Sequence, residues 1–367
     1  MNIAVTGANG FLGKNLIYNL KILKNNKIFE ITRKTKKKNI DEILNKTDII
    51  YHFAGVNRPN KKKTFEKDNI ELTKYICDYL IKKKLKKKIV FSSSIQVKIN
   101  NEYGKSKKIC ENILKNFSNK SKSNVIILRL PNIFGKWSAP NYNSVVSTFC
   151  HNVSRGKKIN ILYPRKEINL LYIDDLIKIL ISLKKITKVR FKVIEKFKFV
   201  QKISLKKISE IILNFEKKRK NFYIENIDTK FLKNLYSTYI SYLPRRKIQY
   251  KLKQYNDSRG SFMEFLKTNL NGQFSIFIAK KNKVRGHHFH HSKVEKFLVL
   301  KGKAEFVMYD VSSSNKIRFI MNDKNPTVVE SIPGHQHYIK NLGTEDLIVL
   351  LWSNEVFDVK NPDTYRI

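Results

Sequence analysis

Ile3-Ala4-Val5-Thr6-Gly7-Ala8-Asn9-Gly10-Phe11-Leu12-Gly13 is the stretch on which the reading of this chain turns. An apolar run suited to a buried strand comes first, glycines follow at every third position, and a helical pattern begins at Phe11. Glycine permits a tight turn and lets the backbone approach a pyrophosphate, which then lies at the partly positive end of the helix. The order strand, glycine turn, helix predicts a dinucleotide-binding βα unit, with Gly7, Asn9, Gly10, Phe11, Leu12 and Gly13 against the cofactor.

Working outward, Ile28-Phe29-Glu30-Ile31, Asp48 to Phe53, Lys88-Ile89-Val90-Phe91 and Val125 to Arg129 read as further buried strands. Between them, segments such as Lys14 to Lys24 and Phe65 to Lys84 carry apolar residues at helical spacing. Strands alternating with helices predict an α/β, Rossmann-like, doubly wound parallel sheet covered on both faces. The character changes at Asp257-Ser258-Arg259-Gly260. Short alternating strands follow, among them Phe274 to Ala279, Lys296 to Leu300, Ala304 to Tyr309 and Leu347 to Trp352, separated by Gly, Asn and Pro. That pattern predicts an all-β barrel or sandwich. A boundary near Pro244-Arg245-Arg246 divides the chain into residues 1–245 and 246–367.

Composition narrows the partners. Lys and Arg number 74 against 30 Asp and Glu, a formal net charge of +44. Such an excess can signal nucleic acid or an anionic membrane. Here the lysines are spread along the chain in runs such as Lys36–Lys38, Lys61–Lys63 and Lys82–Lys84, with no basic arm and no nucleic-acid motif. The expectation is therefore no nucleic acid, with the charge suited to an anionic small substrate such as a nucleotide sugar. Cys77, Cys110 and Cys150 are far apart and odd in number, which fits buried thiols in a reducing cytoplasm. No signal-peptide pattern precedes the first strand, and every apolar run is shorter than the roughly 18 residues needed to span a bilayer. A cytoplasmic chain without membrane contact is expected.

Tyr103-Gly104-Lys105-Ser106-Lys107 carries the next signal. Tyr103 and Lys107 stand four apart, so they share one face of a helix. A phenol, with a reference pKa of about 10, needs a nearby cation to work as an acid–base group near neutrality. Lys107 can provide that charge and also hold the nicotinamide ribose. Upstream, Phe91-Ser92-Ser93-Ser94 ends a strand where a hydroxyl can donate to a substrate carbonyl.

These residues resemble the extended short-chain dehydrogenase/reductase family over roughly residues 1–240. The likeness includes His52-Phe53-Ala54-Gly55, Leu128-Arg129-Leu130-Pro131-Asn132-Ile133-Phe134-Gly135 and Tyr172-Ile173-Asp174-Asp175-Leu176. It implies Tyr103 as general acid, Lys107 as its partner and Ser94 as the third member, with Ser93 the competing choice. It also implies Ala54 at the cofactor and Ser93, Arg129 and Asn132 at the substrate. The serine stands nine residues before the tyrosine, a shorter separation than the family usually shows. For the cofactor, an acid at the end of the second strand would bind the 2′-OH of NADH, whereas an Arg would accept the 2′-phosphate of NADPH. Glu30 lies inside that strand and Arg33 at its end, so NADPH is favoured over NADH.

Four of the eight histidines fall in Gly286-His287-His288-Phe289-His290-His291, with Glu295 shortly after and Pro333-Gly334-His335-Gln336-His337 farther on. On a strand His288 and His290 share a face, and Glu295 can return to it after a turn. His288, His290, Glu295 and His337 form a donor set for a divalent metal, Zn, Mn, Fe or Ni, with Zn the expected ion. The spacing resembles the two motifs of the cupin superfamily, which implies a jelly-roll barrel.

A reductase domain followed by a cupin, together with the chain length and the segment Arg259-Gly260-Ser261-Phe262-Met263-Glu264, resembles the CapF-type capsular polysaccharide enzymes over nearly the whole chain. That resemblance implies two steps on a UDP-linked 4-keto-6-deoxy sugar: C3 epimerisation in the cupin, then reduction of C4 with NADPH. His287, His291, Lys296 and Tyr309 are open choices for the epimerase base. The alternative is a single-activity reductase whose cupin binds sugar or dimerises the chain. A homodimer is expected, since cupins often pair through their barrels.

Overall fold

A computed structural model describes the chain except residues 24, 58–64, 187–188, 225–226, 312–314 and 367. The lysine run 61–63 and the far end of the first helical stretch, Lys24, therefore lie outside the described residues. The chain packs into two units, Met1–Ile212 with Thr229–Leu243, and Leu213–Asp228 with Pro244–Ile367.

The first unit is built from β1 (Asn2–Thr6), α1 (Phe11–Ile22), β2 (Lys27–Ile31), α2 (Lys37–Lys46), β3 (Ile49–His52), α3 (Leu72–Lys82), β4 (Lys88–Ser94), α4 (Glu102–Ser121) and β5 (Val125–Leu130). It continues with β6 (Asn132–Phe134), α5 (Val145–Ser154), β7 (Glu167–Tyr172), α6 (Ile173–Leu183), β8 (Phe191–Ile194) and β9 (Gln201–Ser204). After α7 (Leu205–Lys220) and β10 (Tyr223–Ile224), α8 (Lys230–Ser241) returns to it.

Six parallel strands line up as β2-β1-β3-β4-β5-β8. Chain order reverses at β1, so the ends of β1 and β3 flank the crevice where open α/β sheets bind ligands. Alternation assigns the side chains to two cores. Ile3, Val5, Ile49, Tyr51, Val90, Ile126 and Leu128 pack under α1 and α6, while Ala4, Ile50, Ile89, Phe91, Val125 and Ile127 pack under α2, α3 and α4. Each fully buried Leu, Ile or Phe contributes about 1.5–3 kcal/mol, so both faces hold the sheet that positions the loops. The sixth strand and the small sheet β6-β7-β9 were not evident in the sequence, because polar residues interrupt the apolar runs of these strands.

The second unit is antiparallel and β-rich, a cupin-like barrel of two sheets. One holds β12 (Gly260–Thr268), β13 (Gln273–Ala279), β20 (Leu347–Ser353), β15 (Glu295–Lys301) and β18 (Val328–Glu330), with β11 (Gln254–Asp257) against β12. The other holds β14 (Val284–His288), β19 (His335–Asn341), β16 (Lys303–Asp310) and β17 (Lys316–Asn322). β10 pairs in parallel with β12, which places the segment 213–228 with this unit and not with the residues on either side of it. Phe277, Phe297, Val299, Phe306, Met308, Ile339 and Val349 fill the interior between the sheets. Among the described residues no helix is long and apolar enough to cross a membrane.

Candidate active site and metal centre

The crevice at the end of β1 is shaped by glycine. Gly7 has φ +68°, and a Cβ there would stand 2.8 Å from the Ala54 nitrogen. Gly13 lies so close to the turn that its Cβ would meet the Gly7 oxygen at 2.3 Å. Gly10 caps α1 in extended conformation without a side-chain bond, and no acidic residue occupies the first turn. Backbone N–H groups of that turn are therefore directed to whatever anion the loop receives. Gly13→Ala is expected to push α1 off the loop and abolish measurable NAD(P)H binding in a fluorescence titration, with the barrel's thermal transition unchanged.

Below the loop a buried relay fixes the backbone of Phe53 and Ala54. Both amides donate to Thr6 Oγ1 at 3.1 Å, and Thr6 Oγ1 lies 2.7 Å from His52 Nδ1. His52 Nε2 is 2.9 Å from Thr73 Oγ1, which donates to the Asn69 carbonyl at 2.8 Å. With the Thr73 proton committed, Nε2 must be the donating nitrogen of His52 and Nδ1 the acceptor for Thr6. Burial, reinforced by the charge of Lys107, drives His52 down to about 3, so the ring stays neutral. Asn69 completes the support, accepting from the Val56 amide at 2.7 Å and donating to Ser106 at 3.0 Å.

Lys107 and Tyr103 project from the first turns of α4 beside this floor. A Cβ on Gly55 would lie 3.2 Å from Lys107 Nζ, so the His52–Gly55 segment and the α4 motif meet at one place. Lys107 is only 3% exposed, donates to the Ser92 carbonyl at 2.9 Å, and holds its Nζ 5.9 Å from the Tyr103 ring centre. Burial lowers its pKa to about 8, and the neighbouring Cys110 and Glu111 offset only part of that. Tyr103 is half-buried, and burial raises its phenol above the usual range; the Ser94 hydroxyl bonded to it pulls the other way. Asn101 caps α4 by accepting from the Gly104 amide at 2.7 Å. A Cβ on Gly104 would stand 2.2 Å from the Gln96 oxygen, so glycine lets α4 start against the 3₁₀ turn Ile95–Lys98 that follows Ser94. That compact turn accommodates the short spacing between serine and tyrosine.

The two serines differ in partner. Ser93 Oγ donates to buried Glu111 at 2.6 Å, whereas Ser94 faces Tyr103 and caps the 3₁₀ turn. Arg129 is held by the same Glu111 through two bonds of 3.1 and 2.8 Å, and by Glu195 at 3.2 Å. Ser93 and Arg129 are thus brought together around Glu111. Asn132 is exposed and donates to the Asn169 carbonyl at 3.3 Å. Glu30 pairs with Lys21 at 3.1 Å, and Arg33 lies in the exposed turn after β2, where Thr32 and Thr35 bond one another. Glu111, Thr73 and Asn69 escaped sequence reasoning, since nothing local marks a carboxylate, hydroxyl or amide as buried.

In the second unit, one ligand atom from each of His288, His290, Glu295 and His337 lies within 4.8 Å of the others. β14 carries His288 opposite His337 on β19, and a bulge between Gly286 and His288 turns His287 aside at φ +61°. His287 stacks on Tyr338 at 4.6 Å instead. Glu295 Oε2 lies 3.2 Å from both His290 Nε2 and His337 Nε2. Burial alone would raise the Glu295 carboxyl; hydrogen bonds to the two imidazoles outweigh it and hold the group well below the usual carboxylate range. Burial, with a smaller contribution from His337, lowers His288 to about 4. A buried carboxylate among three imidazoles, with His337 Nδ1 lacking a hydrogen-bond partner among the described residues, is a donor set that suits a divalent cation. His335 stands apart beside the Pro333 carbonyl, His291 meets Phe289 edge to face and lies tilted against Tyr365, and Lys296 pairs with Glu330. Asn341 is structural, donating to the Ala279 and Glu345 carbonyls at 2.9 and 2.7 Å.

Residues 3–189 match the NAD dependent epimerase/dehydratase family, and residues 255–365 match the polysaccharide biosynthesis C-terminal domain. The chain is 40% identical over 368 residues to a UDP-2-acetamido-2,6-beta-L-arabino-hexul-4-ose reductase of Pseudomonas aeruginosa, covering all of this chain and 98% of that one. Its fold matches the crystal structure of the capsular polysaccharide assembling protein CapF from Staphylococcus aureus with a TM-score of 0.91 and 38% identity over the full length of both. A UDP-glucose 4-epimerase of Thermotoga maritima, 16% identical with a TM-score of 0.57 over 68% of this chain and all of that one, shares the fold. The chain belongs to the NAD-dependent epimerase/dehydratase family, as a CapF-like member that carries the polysaccharide biosynthesis C-terminal domain.

Proposed function

We propose that this chain reduces the C4 ketone of a UDP-linked 2-acetamido-4-keto-6-deoxyhexose with NADPH, after its own barrel has inverted C3. The product would be UDP-2-acetamido-2,6-dideoxy-L-talose, on the way to UDP-N-acetyl-L-fucosamine for capsule or O-antigen. The observation that carries the reading is the meeting of Ser94, Tyr103 and Lys107 beside the glycine crevice, in a chain matched end to end by a reductase named for such a 4-ketosugar.

NADPH held by the Gly7–Gly13 loop, Ala54 and Lys107 would supply the hydride. Ser94 orients the C4 carbonyl, and Tyr103 gives its phenolic proton to that oxygen as the C–H bond forms. Lys107 stabilises the phenolate left behind, through a charge it keeps despite burial. Arg33, in the turn after β2, is the residue for the 2′-phosphate. Arg33→Ala is expected to raise the KM for NADPH on the order of tenfold or more while sparing NADH; steady-state kinetics with both cofactors check it. A larger effect of Glu30→Ala on NADH would reverse the preference.

In the barrel, His288, His290, Glu295 and His337 would hold a divalent ion, with Zn the first choice, and that ion would supply Lewis-acid polarisation. A C4 ketone acidifies the C3 hydrogen, so a base beside the set can remove and return it on the other face. The deciding experiment follows the sugar by NMR in deuterated solvent. Label at C3 without NADPH, and the reduced sugar once NADPH is added, are expected. Reduction without any C3 label would leave the barrel as a sugar-binding or dimerisation module.

A further inference from the structure

We infer that Asp363, in the segment beyond β20, is a positioning residue for the His288, His290, Glu295 and His337 set: it fixes the His290 imidazole and the turn that delivers Glu295, and thereby sets how tightly the set holds a divalent cation. The inference rests on reading that set as a metal centre.

The geometry is local and complete. Between His290 and Glu295 the chain must reverse, and among the described residues no strand takes the amides of residues 291–293. One carboxylate gathers them. Asp363 Oδ1 accepts from the His291 amide at 2.9 Å, and Oδ2 accepts from the amides of Ser292 and Lys293 at 2.9 and 2.8 Å. The Ser292 hydroxyl adds a further bond at 2.9 Å. The same residue's carbonyl lies 2.5 Å from His290 Nδ1. A carbonyl oxygen can only accept, so Nδ1 of His290 carries a proton, and Nε2, beside Glu295, is the nitrogen left to ligate a cation. An imidazole whose second nitrogen is tied in this way is fixed in both tautomer and orientation.

The segment around Asp363 is tied to the same turn by bonds that do not involve the carboxylate. Phe289 and Tyr365 exchange backbone hydrogen bonds of 2.9 and 3.0 Å. Buried Lys293 reaches back to the Pro362 carbonyl and pairs with Glu355 at 3.4 Å. Asp363 itself has φ +37°, a left-handed backbone uncommon for a residue with a side chain but tolerated by Asp. That conformation aims its carbonyl and its carboxylate at one turn together. The carboxylate thus holds the carbonyl in place for His290, and loss of the side chain frees both.

The test uses the full chain, stripped with chelator and titrated with Zn²⁺ in competition with a chromogenic chelator, then with Co²⁺ for its visible absorption. Asp363→Asn is expected to weaken Zn²⁺ binding by about 10–100-fold, the usual loss when the partner of a metal-bound histidine is removed. It should also change the Co²⁺ spectrum, which reports ligand geometry and which a merely structural role would leave alone. Asp358→Asn, in the same segment but with its carboxylate on the Lys360 amide, is expected to match the parent in both. The thermal transition of the metal-free barrel checks that each variant is otherwise folded. Should Asp363→Asn be insoluble, Ser292→Ala removes one of the four donors and is expected to shift affinity the same way by less. A parent chain that binds Zn²⁺ beside variants that bind it equally well overturns the role of Asp363 alone. A parent chain that takes up neither ion overturns the metal reading, and this inference with it.

Discussion

A Tyr103→Phe variant is expected to reduce the 4-ketosugar roughly 10²–10⁴-fold more slowly than the parent chain, the contribution typical of a positioned general acid. NADPH binding should be unaffected, because the phenol is absent from the relay that holds Phe53 and Ala54. Phenylalanine keeps the ring volume and the packing against Phe65, whose ring centre lies 6.2 Å away. What is lost is one acidic proton. Burial holds that proton on the phenol at neutral pH, as an acid requires, and the Ser94 hydroxyl and Lys107 charge ease its departure. Single-turnover oxidation of bound NADPH separates this loss from product release. An unchanged rate would mean that the proton comes from elsewhere and would remove Tyr103 from the chemistry.

The same arrangement sets a pH dependence. Lys107 must be protonated to stabilise the phenolate, and burial lowers its pKa to about 8. The reduction rate is expected to be level below that pH and to fall as pH rises through it. Unfolding does not mimic the effect. A lysine in the unfolded chain titrates near about 10.4, so between the two values the unfolded chain carries more protons at this position, and the contribution of Lys107 to stability increases with pH. A fall in rate without a fall in melting temperature is the expected signature.

What could be read in the sequence was whatever leaves a local mark. The apolar runs of β1 to β5 and the glycines at 7, 10 and 13 are periodic or spaced signals, and the structure places each element within a few residues of where they point. His288, His290, Glu295 and His337 were legible because histidines are scarce and their spacing is unusual. Edge elements such as β8 and β10 were not, since β8 is half-exposed with Lys192 inside it and β10 has only two residues. Partners across space were invisible too. Nothing near Glu111 announces that it binds Ser93 and Arg129, and nothing near Asp363 announces a turn some seventy residues earlier. The bulge that turns His287 aside follows from Gly286, at φ +103°, whose Cβ would stand 2.7 Å from the His337 oxygen. Strict alternation along the strand would have missed it.

On the function proposed for the barrel, His337→Gln is expected to abolish cation binding and slow C3 exchange by roughly 10²–10³-fold, the several kcal/mol that metal polarisation of a carbonyl is worth. Glutamine approximates the volume of the imidazole between Phe297 and Phe306, so the barrel core should survive; alanine would leave a cavity there. The substitution takes one nitrogen donor from the set and one of the two imidazoles that keep the Glu295 carboxylate ionised. Metal analysis should show the ion lost. The parent chain should melt higher when Zn²⁺ is added, by about 2.7 kcal/mol of stability at one hundred times the dissociation constant, and the variant should not respond. Because His337 belongs to the barrel and Tyr103 to the parallel-sheet unit, the variant should still reduce a substrate supplied with C3 already inverted. That separation is the discriminating result. Retained C3 exchange in a metal-free H337Q chain would assign inversion to protein groups alone, and loss of both activities together would tie the two steps to a single site.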